Sequence, residues 1–165
     1  EMEKLPVRKN IRLKCYDYKE DGYYFVTICC FNFQPNLAKY KEIPEKILCG
    51  LSKRFLNLKI DYYVLMPTHL HIIFVLEKSA VSLGEIVRTY KALVTKSTKV
   101  KNFWQRNYYE HVIRSEYTLT RIREYIQNNP ESLKIRFEEF YKETGLINQT
   151  PTRTKGTSYK NCERR

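Results

Sequence analysis

The chain has 165 residues, of which 42% are hydrophobic and 14% aromatic; this is enough for one domain with its own core and argues against a disordered chain. No apolar run approaches the roughly 20 residues of a membrane-spanning helix, no signal segment opens the chain, and the five cysteines form no CxxC pair, so we expect a cytoplasmic protein with reduced thiols. The net charge of +12 and the interleaved tyrosine and phenylalanine residues favour nucleic acid as the partner, because phosphates attract cations and bases stack on rings.

The N-terminal third of the chain is predicted to contain an arm, a strand and a helix. Residues 1–22 are basic and interrupted by Pro6 and Gly22, and we expect them to lead into the sheet as an arm. Residues 23–33, YYFVTICCFNF, are β-branched and aromatic, which predicts a central strand. Residues 44–57 have apolar side chains at helical spacing after a proline that suits a first turn, which predicts a helix.

Two strands are predicted next, separated by Pro67 and Thr68. Residues 59–66 form the first, and the side chains expected on one of its faces are Ile60, Tyr62, Val64 and Met66. Residues 69–76 form the second, and the side chains expected on its common face are His69, His71, Ile73 and Val75.

The second half of the chain is predicted to contain three helices and one strand. Residues 82–98 have the pattern of an amphipathic helix, and residues 103–114 that of a strand with polar interruptions. Residues 118–129 are predicted to be a helix that an Asn-Pro pair ends, with an inward stripe formed by Leu119, Ile122 and Ile126. A further helix is expected over residues 130–142.

The order of these elements, β-α-β-β-α-β followed by helices, is typical of the ferredoxin-like topology. We therefore expect an α+β domain with an antiparallel sheet, helices on one face of that sheet and additional C-terminal helices. The domain is expected to cover residues 23–142. A basic tail of residues 143–165 follows it and is expected to be flexible until a partner binds.

Two histidines one residue apart, His69 and His71, are the first candidates for metal ligands. Side chains at i and i+2 of a strand point to the same face, so both imidazoles can reach one metal ion while Leu70 is anchored in the core. The spacing alone also fits two half-buried strand histidines that bind nothing. Only a wider motif can decide between the two interpretations.

A second polar pair, Tyr125 and Asn129, lies four residues apart at the edge of the apolar stripe of the predicted helix 118–129. A tyrosine at such an edge can pack its ring and still present its hydroxyl to a site beside the sheet, although plain core packing is the alternative. Asn129 precedes Pro130, so its side chain can cap the next helix or supply an amide oxygen to a metal.

Four motifs in a consistent order give the chain a resemblance to a known family. YDYKEDGYYFVT occupies residues 16–27, and MPTHLHIIF, FWQRNYYEHVIR and RIREYIQNNP follow it in that order. From about residue 12 to about residue 140 this pattern resembles the single-tyrosine HUH transposases, and above all their REP-associated tyrosine transposase branch. Thr68 departs from the Asn or Asp that is common before the first histidine, and NNPES lacks the tryptophan often found after NNP.

The resemblance implies both a function and a set of site residues. It implies a transposase-like endonuclease and strand transferase that nicks and rejoins single-stranded DNA, near hairpins, through a 5′-phosphotyrosine on Tyr125. It also implies a divalent metal, Mg²⁺ or Mn²⁺, held by His69, His71 and Asn129. Asparagine at the last position fits the REP-associated branch, whereas insertion-sequence relatives usually carry glutamine there.

These residue types suit the implied chemistry. A phenol with a pKa near 10 attacks poorly at neutral pH unless its proton is removed or its anion is stabilised. A divalent ion held by two imidazoles and an amide oxygen keeps open positions, at which phosphate oxygens can be polarised and oriented for in-line attack. Because the tyrosine–phosphate bond conserves the energy of the broken bond, a second 3′-OH can reverse the step and join strands without ATP.

Basic residues outside this site are expected to contact DNA phosphates. They lie in the arm and on or beside the predicted helix 82–98: Arg12, Lys14, Arg88, Lys91, Lys96 and Lys99. Any one of them also fits an ordinary solvated surface. The expected partner is single-stranded or hairpin DNA and not a membrane, and the family is compatible with both a homodimer and a monomer.

Other functions remain open on the sequence alone. The same topology serves non-catalytic modules that bind single-stranded nucleic acid, in which residues 23–33 would carry stacked bases and the histidines would be incidental. A replication-initiation or relaxase-type HUH nuclease shares the chemistry, usually within a larger chain. Tyr108, Tyr109 and Tyr117 are rival nucleophiles, but none has a polar residue four positions later on a predicted helix.

Four further side chains have competing interpretations. Glu110 is a candidate hydrogen-bond partner for one imidazole. His111 matches the family pattern without an assigned role, and a hydrogen-bonded sheet histidine is the preferred interpretation. Tyr24 and Trp104 have rings that can stack on bases, but core packing is preferred for both.

Overall fold

The computed structural model describes Leu13 and residues 15–128 of the chain. Within them, one sheet contains β1 Gly22–Cys29, β2 Leu58–Leu65, β3 His69–Leu76 and β4 Tyr109–Ile113. The order across the sheet is β2-β3-β1-β4, and every neighbouring pair is antiparallel. A β-α-β-β-α-β chain adopts this order in the ferredoxin-like topology, so the predicted fold class is confirmed.

Helices connect and cover the described strands. They are α1 Asn36–Lys39, α2 Glu42–Arg54, α3 Leu83–Thr98 and α4 Glu116–Asn128. α3 begins at a capping box, in which the Ser82 hydroxyl accepts a hydrogen bond from the Glu85 amide and the Glu85 carboxylate accepts one from the Ser82 amide. Each of these two residues satisfies an amide that the first turn would otherwise leave without a partner.

The long predicted helices form with small shifts at their ends. α2 starts two residues before the predicted helix 44–57, which puts Pro44 in the first turn, where its missing N–H costs nothing. α4 likewise starts two residues before the predicted helix 118–129. The predicted helix 130–142, the tail 143–165 and most of the arm lie outside the described residues.

Different helices cover the two faces of the sheet. α2 and α3 pack on the even-numbered side chains of β1 and β3, which include Tyr24 and Ile72. α4 packs its predicted apolar stripe on the odd-numbered side chains, which include Phe25 and Ile73. We call these the α2/α3 face and the α4 face. The alternation of strand residues therefore decides which side chains α4 can reach.

The aromatic side chains of the central strand are core residues. Tyr24 is 0% and Phe25 2% exposed, on opposite faces of β1. Trp104 is 7% exposed beside α3, where its indole N–H donates to the Lys91 carbonyl at 3.2 Å. The core-packing interpretation of Tyr24 and Trp104 is therefore confirmed.

The predicted strand 23–33 is wrong beyond Cys29. Cys30 makes an isolated bridge to Trp104, and the chain then bends through a 3₁₀ turn over Phe31–Phe33. Asn32, inside this turn, has φ of 48°, which a strand residue does not adopt. The aromatic, β-rich composition continues through the bend, so the sequence pattern could not locate it.

The predicted strand 103–114 is also shorter in the structure, because β4 covers only Tyr109–Ile113. Phe103 is fully buried in the core of the α2/α3 face, and its segment pairs with the end of β1 only through the isolated bridge between Trp104 and Cys30. A buried hydrophobic anchor ahead of the strand therefore produced the same sequence signal as a longer strand.

A bulge in β2 changes which of its side chains share a face. The pairing with β3 shifts between Ile60 and Tyr62, so Asp61 is the extra residue. Ile60 packs with the core of the α2/α3 face, whereas Tyr62 and Val64 pack on the α4 face. The prediction that these alternate residues share one face is therefore wrong at Ile60.

The sequence led us to expect reduced thiols and no membrane-spanning helix, and the described residues bear on both. No described cysteine takes part in a disulfide. None of the described helices is long and apolar enough to cross a membrane.

Candidate catalytic site

His69 and His71 stand side by side at the start of β3, on the α4 face. Their side chains are 2% and 1% exposed, and the ring centroids are 4.8 Å apart with planes at 71°. β3 lies between β1 and β2, so a strand flanks the segment with the histidines on each side. Leu70 is buried on the opposite face. Strand alternation therefore brings the two imidazoles together on a rigid element.

A threonine hydroxyl contacts each imidazole at Nδ1. Thr27 of β1 faces His71 across the ladder, and its Oγ1 lies 2.8 Å from Nδ1 of His71. Thr68 has its Oγ1 3.1 Å from Nδ1 of His69, so the unusual residue before the first histidine supplies a hydrogen bond. The Phe25 ring stacks on His71 at 5.5 Å between centroids. When the hydroxyl accepts the Nδ1 proton, Nε2 carries the lone pair that a metal requires.

These donors fit part of a divalent metal site. Two imidazoles oriented at Nδ1 are a common pair of nitrogen ligands for first-row divalent ions. Asn129, the third ligand that the resemblance implies, lies outside the described residues. Among the residues that the structure describes, no group of three His, Cys, Asp or Glu side chains is arranged to hold a metal. Within those residues, a further ligand for this pair would have to be of another kind.

Tyr125 is half-buried on α4, in the cluster that joins this helix to the sheet. The same cluster contains Val64, whose register partner on β3 is His71. Two residues before the tyrosine, the Arg123 guanidinium donates two hydrogen bonds to the Asp61 carboxylate in the β2 bulge, one of them from Nε at 2.8 Å. This bidentate pair and the apolar stripe fix α4 on the face that carries the histidines.

The rival tyrosines lie in three different environments. Tyr108 is 8% exposed in the core of the α2/α3 face, and Tyr117 is 62% exposed in the first turn of α4. Tyr109 pairs with Thr27 across β4 and β1, so it lies in the same row as His71 on the α4 face. Sequence reasoning set Tyr109 aside. Strand alternation, continued back from the buried Ile113, was the signal that could have found it.

Glu110 and His111 are consecutive residues of β4, so their side chains lie on opposite faces of the sheet. Glu110 lies on the α2/α3 face, where it interacts with the Tyr18 hydroxyl. The hypothesis that Glu110 contacts an imidazole of the pair is therefore wrong, because alternation turns its side chain away from the α4 face. His111 pairs with Phe25 on the α4 face, and burial together with the charge of Arg114 lowers its pKa to about 4. The His111 imidazole is therefore neutral at pH 7.

The residues predicted to contact phosphates lie mainly on the other side of the sheet. Arg88, Lys96 and Lys99 are exposed on or beside α3, which covers the α2/α3 face. Arg12 and Lys14 lie outside the described residues. A DNA molecule that contacts α3 must therefore pass an end or an edge of the sheet to reach the histidines.

Lys91 has a structural role that the sequence did not reveal. Its ammonium donates to the Gln105 carbonyl at 2.5 Å and lies 3.4 Å from the next two carbonyls, and burial lowers its pKa to about 8. The Gln105 amide in turn donates to the Cys29 carbonyl at 2.9 Å, at the end of β1 that pairs with His69. A pocket of about 240 Å³ lies beside this loop, and its cationic lining residues are Arg88, Lys91 and Arg106. The basic surface thus extends to the end of the sheet that carries the histidines.

Comparisons with known proteins relate the chain to transposases. An uncharacterised protein of Haemophilus influenzae is 36% identical, over 74% of this chain and 88% of its own length. A REP-associated tyrosine transposase of Escherichia coli is 28% identical over 115 residues, which is 68% of each chain. The solved structure of a REP-associated tyrosine transposase bound to a REP hairpin has a TM-score of 0.63 at 19% identity, over 77% of this chain and 76% of that one. No family model matches the chain.

These relatives confirm the resemblance that the motifs indicated. The structural match gives the same fold, and the curated transposase matches in sequence over two thirds of its length.

Proposed function

Because the chain belongs to the family of the Haemophilus influenzae protein and is related in sequence and fold to the REP-associated tyrosine transposases, we propose that it nicks and rejoins single-stranded DNA. The observation that carries this proposal is the buried pair His69 and His71, oriented by threonine hydroxyls on the face that α4 covers. A metal site beside a tyrosine-bearing helix is the arrangement that such chemistry needs.

Tyr125 is the proposed nucleophile. Its Oη attacks the phosphorus of the scissile phosphodiester, a tyrosine–phosphorus bond forms, and the P–O3′ bond breaks. The phenol releases its proton as it attacks, and the leaving 3′ oxygen takes up a proton to become a 3′-OH. The 5′ end of the DNA stays on the enzyme as a phosphotyrosine. Attack by another 3′-OH reverses the step and releases the tyrosine, which joins strands without an external energy source.

The proposed metal is Mg²⁺ or Mn²⁺. When bound, it would polarise the scissile phosphate and offset the charge that develops during the displacement. His69 and His71 would hold it through Nε2, and Asn129 would supply its amide oxygen. Thr27 and Thr68 would keep the two rings in the orientation and tautomer that this requires.

Single-stranded DNA next to a hairpin is the proposed substrate. The solved relative is bound to a REP hairpin, and the net charge of +12 favours a polyanion. The exposed cations of α3 would bind phosphates of the hairpin. The strand to be cut would pass the loop that Lys91 holds and reach the histidines at the end of the sheet.

A non-catalytic module that binds single strands is the competing function. Modules of this topology stack bases on an open face of the sheet. In the described residues α2 and α3 cover one face and α4 the other, and the β1 rings Tyr24 and Phe25 are buried. The covered sheet therefore favours the enzyme over the binding module.

The test is a covalent adduct with DNA. The full chain is incubated with Mn²⁺ and a labelled single-stranded oligonucleotide that contains a hairpin, and the products are separated in SDS. We expect an SDS-resistant adduct that disappears in Tyr125→Phe and when EDTA removes the metal.

Tyr109→Phe and Tyr117→Phe are the matched controls for this experiment. Tyr109 shares the face of His71, whereas Tyr117 is exposed at the start of α4. Both variants are expected to form the adduct. An adduct that persists in Tyr125→Phe and vanishes in Tyr109→Phe would move the nucleophile to β4.

A further inference from the structure

Two exposed aromatic rings follow directly after the end of β1 that pairs with His69. Phe31 is 41% and Phe33 49% exposed, and both belong to the 3₁₀ turn that ends the strand. The remaining large hydrophobic side chains that are exposed in the described part of the chain are Leu13, Leu56 and Tyr117. Phe31 and Phe33 are the two of these that lie within one turn of each other, so this turn concentrates exposed aromatic surface.

The turn is tied to the segment that carries the first histidine. The Cys30 amide donates to the Thr68 carbonyl at 2.8 Å, and the Leu37 amide donates to the Pro67 carbonyl at 3.1 Å. Thr68 is also the residue whose hydroxyl contacts His69. On its other side the turn is held by the Phe31 amide, which donates to the Phe103 carbonyl at 3.1 Å. The exposed rings are therefore mounted on a fixed support beside His69.

The backbone of the turn is strained at two successive residues. Asn32 and Phe33 have φ of 48° and 52°, a left-handed conformation that costs a phenylalanine about 1–2 kcal/mol relative to the right-handed one. The Phe33 ring does not recover this energy by burial, since it remains 49% exposed. Strained, exposed residues of this kind concentrate at sites that bind a ligand.

We propose that Phe31 and Phe33 stack on unpaired bases of the DNA strand that enters the catalytic site. This inference rests on the proposed function for the choice of substrate. Every base has a π-face, so two rings at the mouth of the site can hold a single strand whatever its sequence. The exposed cations of α3 would bind phosphates of the DNA while the two rings bind its bases.

A protein partner fits this surface less well than a nucleic acid. A stable protein interface buries roughly 800 Å² on each side, whereas a base needs the face of only one ring. The net charge of +12 also favours a polyanion as the partner of the chain. Two rings on one turn provide enough surface for stacked bases, but not for a protein interface of that size.

The experiment uses an oligothymidylate strand that carries one 2-aminopurine, a base whose fluorescence falls when it stacks. Variants Phe31→Ala, Phe33→Ala and the double variant are compared with Leu56→Ala, which removes a side chain that is 84% exposed between α2 and β2. We expect each single variant to bind about five- to 150-fold more weakly, and the double variant to bind more weakly still and to lose most of the quenching. Leu56→Ala should behave like the wild type.

Two further variants separate stacking from folding. Phe31→Tyr keeps an aromatic ring and should keep the quenching. Phe33→Gly removes the ring and accepts the positive φ, so its Tm should be unchanged or higher while the quenching falls. A wild-type signal in both Phe33→Gly and the double variant would overturn the proposal. So would a double variant that only changes from dimer to monomer in size-exclusion chromatography, because the rings would then form an interface between copies of the chain.

The covalent adduct assay distinguishes this inference from the proposed function. If the Tyr125 adduct forms while the 2-aminopurine signal ignores Phe31 and Phe33, the stacking inference alone is wrong. If no adduct forms but the signal depends on both rings, stacking stands and the nuclease proposal fails.

Discussion

At the scale of single residues, the threonine hydroxyl groups that contact the histidines offer a specific test of the metal proposal. Thr27→Val keeps the shape of the side chain and removes the hydrogen bond to Nδ1 of His71. Because such outer partners usually contribute ten- to a hundredfold to metal affinity, we expect Mn²⁺ to bind about ten- to 100-fold more weakly. Isothermal titration with Mn²⁺ alone measures this.

Thr120→Val is the matched control for the Thr27 prediction. Thr120 is exposed on α4, and its hydroxyl donates to the Glu116 carbonyl of the same helix. This variant should bind Mn²⁺ like the wild type. Equal Mn²⁺ affinity in Thr27→Val and the wild type would contradict the role given to the hydroxyl.

The His111 imidazole is expected to make the stability of the protein depend on pH. Its pKa is about 4 in the folded chain, against the ordinary histidine value of 6.5, so the unfolded chain binds the proton more readily. His111 therefore contributes stability above pH 6.5 that is lost as the pH falls from 6.5 to 4, with an upper value of about 3 kcal/mol.

The variant His111→Gln tests this assignment by urea unfolding at pH 7 and pH 4. We expect the free energy of unfolding of the wild type to fall more steeply with acid than that of the variant, because glutamine does not titrate. The other two histidines are present in both proteins and cancel in the comparison. Parallel pH profiles would show that His111 is not the group responsible.

At the scale of elements, two of the three cations of α3 have different surroundings. Lys91 holds the loop before β4 through backbone carbonyls, whereas Arg88 is exposed. Lys91→Met should lower the free energy of unfolding by about 1 kcal/mol, because it leaves the part-buried Gln105 carbonyl without its donor. Arg88→Ala should leave the stability unchanged and reduce the salt dependence of DNA binding by about 0.7 in the log–log slope. Thermal melts and salt-titrated binding measure both; the reverse pattern would contradict the assignment.

Elements with a regular pattern were predictable, and elements with an interruption were not. The strand over residues 69–76 was predicted with its bounds, because its apolar residues run continuously from the histidines to Leu76. The β2 bulge at Asp61 was hidden, since a polar residue fits both a regular alternation and an insertion. Asp61 is explained only by its partner Arg123, 62 residues later.

The same limit applies to the candidate site. Strand alternation predicted that His69 and His71 share a face, because that depends on neighbours in sequence. Thr27 contacts His71 across a ladder between residues 44 positions apart, and no local pattern encodes that register. Lys91 looked like any surface cation of an amphipathic helix, since its inward course depends on where the loop before β4 lies.

At the scale of the whole molecule, the sheet separates the surface proposed to bind DNA from the face proposed to carry the reaction. The exposed cations of α3 lie on one side, and the histidines with Tyr125 lie on the other. The loop that Lys91 holds and the turn with Phe31 meet the sheet at the end that carries His69. DNA bound across that end would connect the two sides.

The measurement that tests the central claim most directly is the site of the covalent bond to DNA. The adduct formed with Mn²⁺ and a hairpin oligonucleotide is digested with nuclease and trypsin, and the peptide that retains a nucleotide is identified by mass spectrometry. Cleavage after Arg123 and Lys134 leaves Tyr125 as the one tyrosine of residues 124–134, whereas Tyr108 and Tyr109 share residues 107–114. We predict the nucleotide on residues 124–134. A nucleotide on residues 107–114, or none on any tyrosine, would contradict the account.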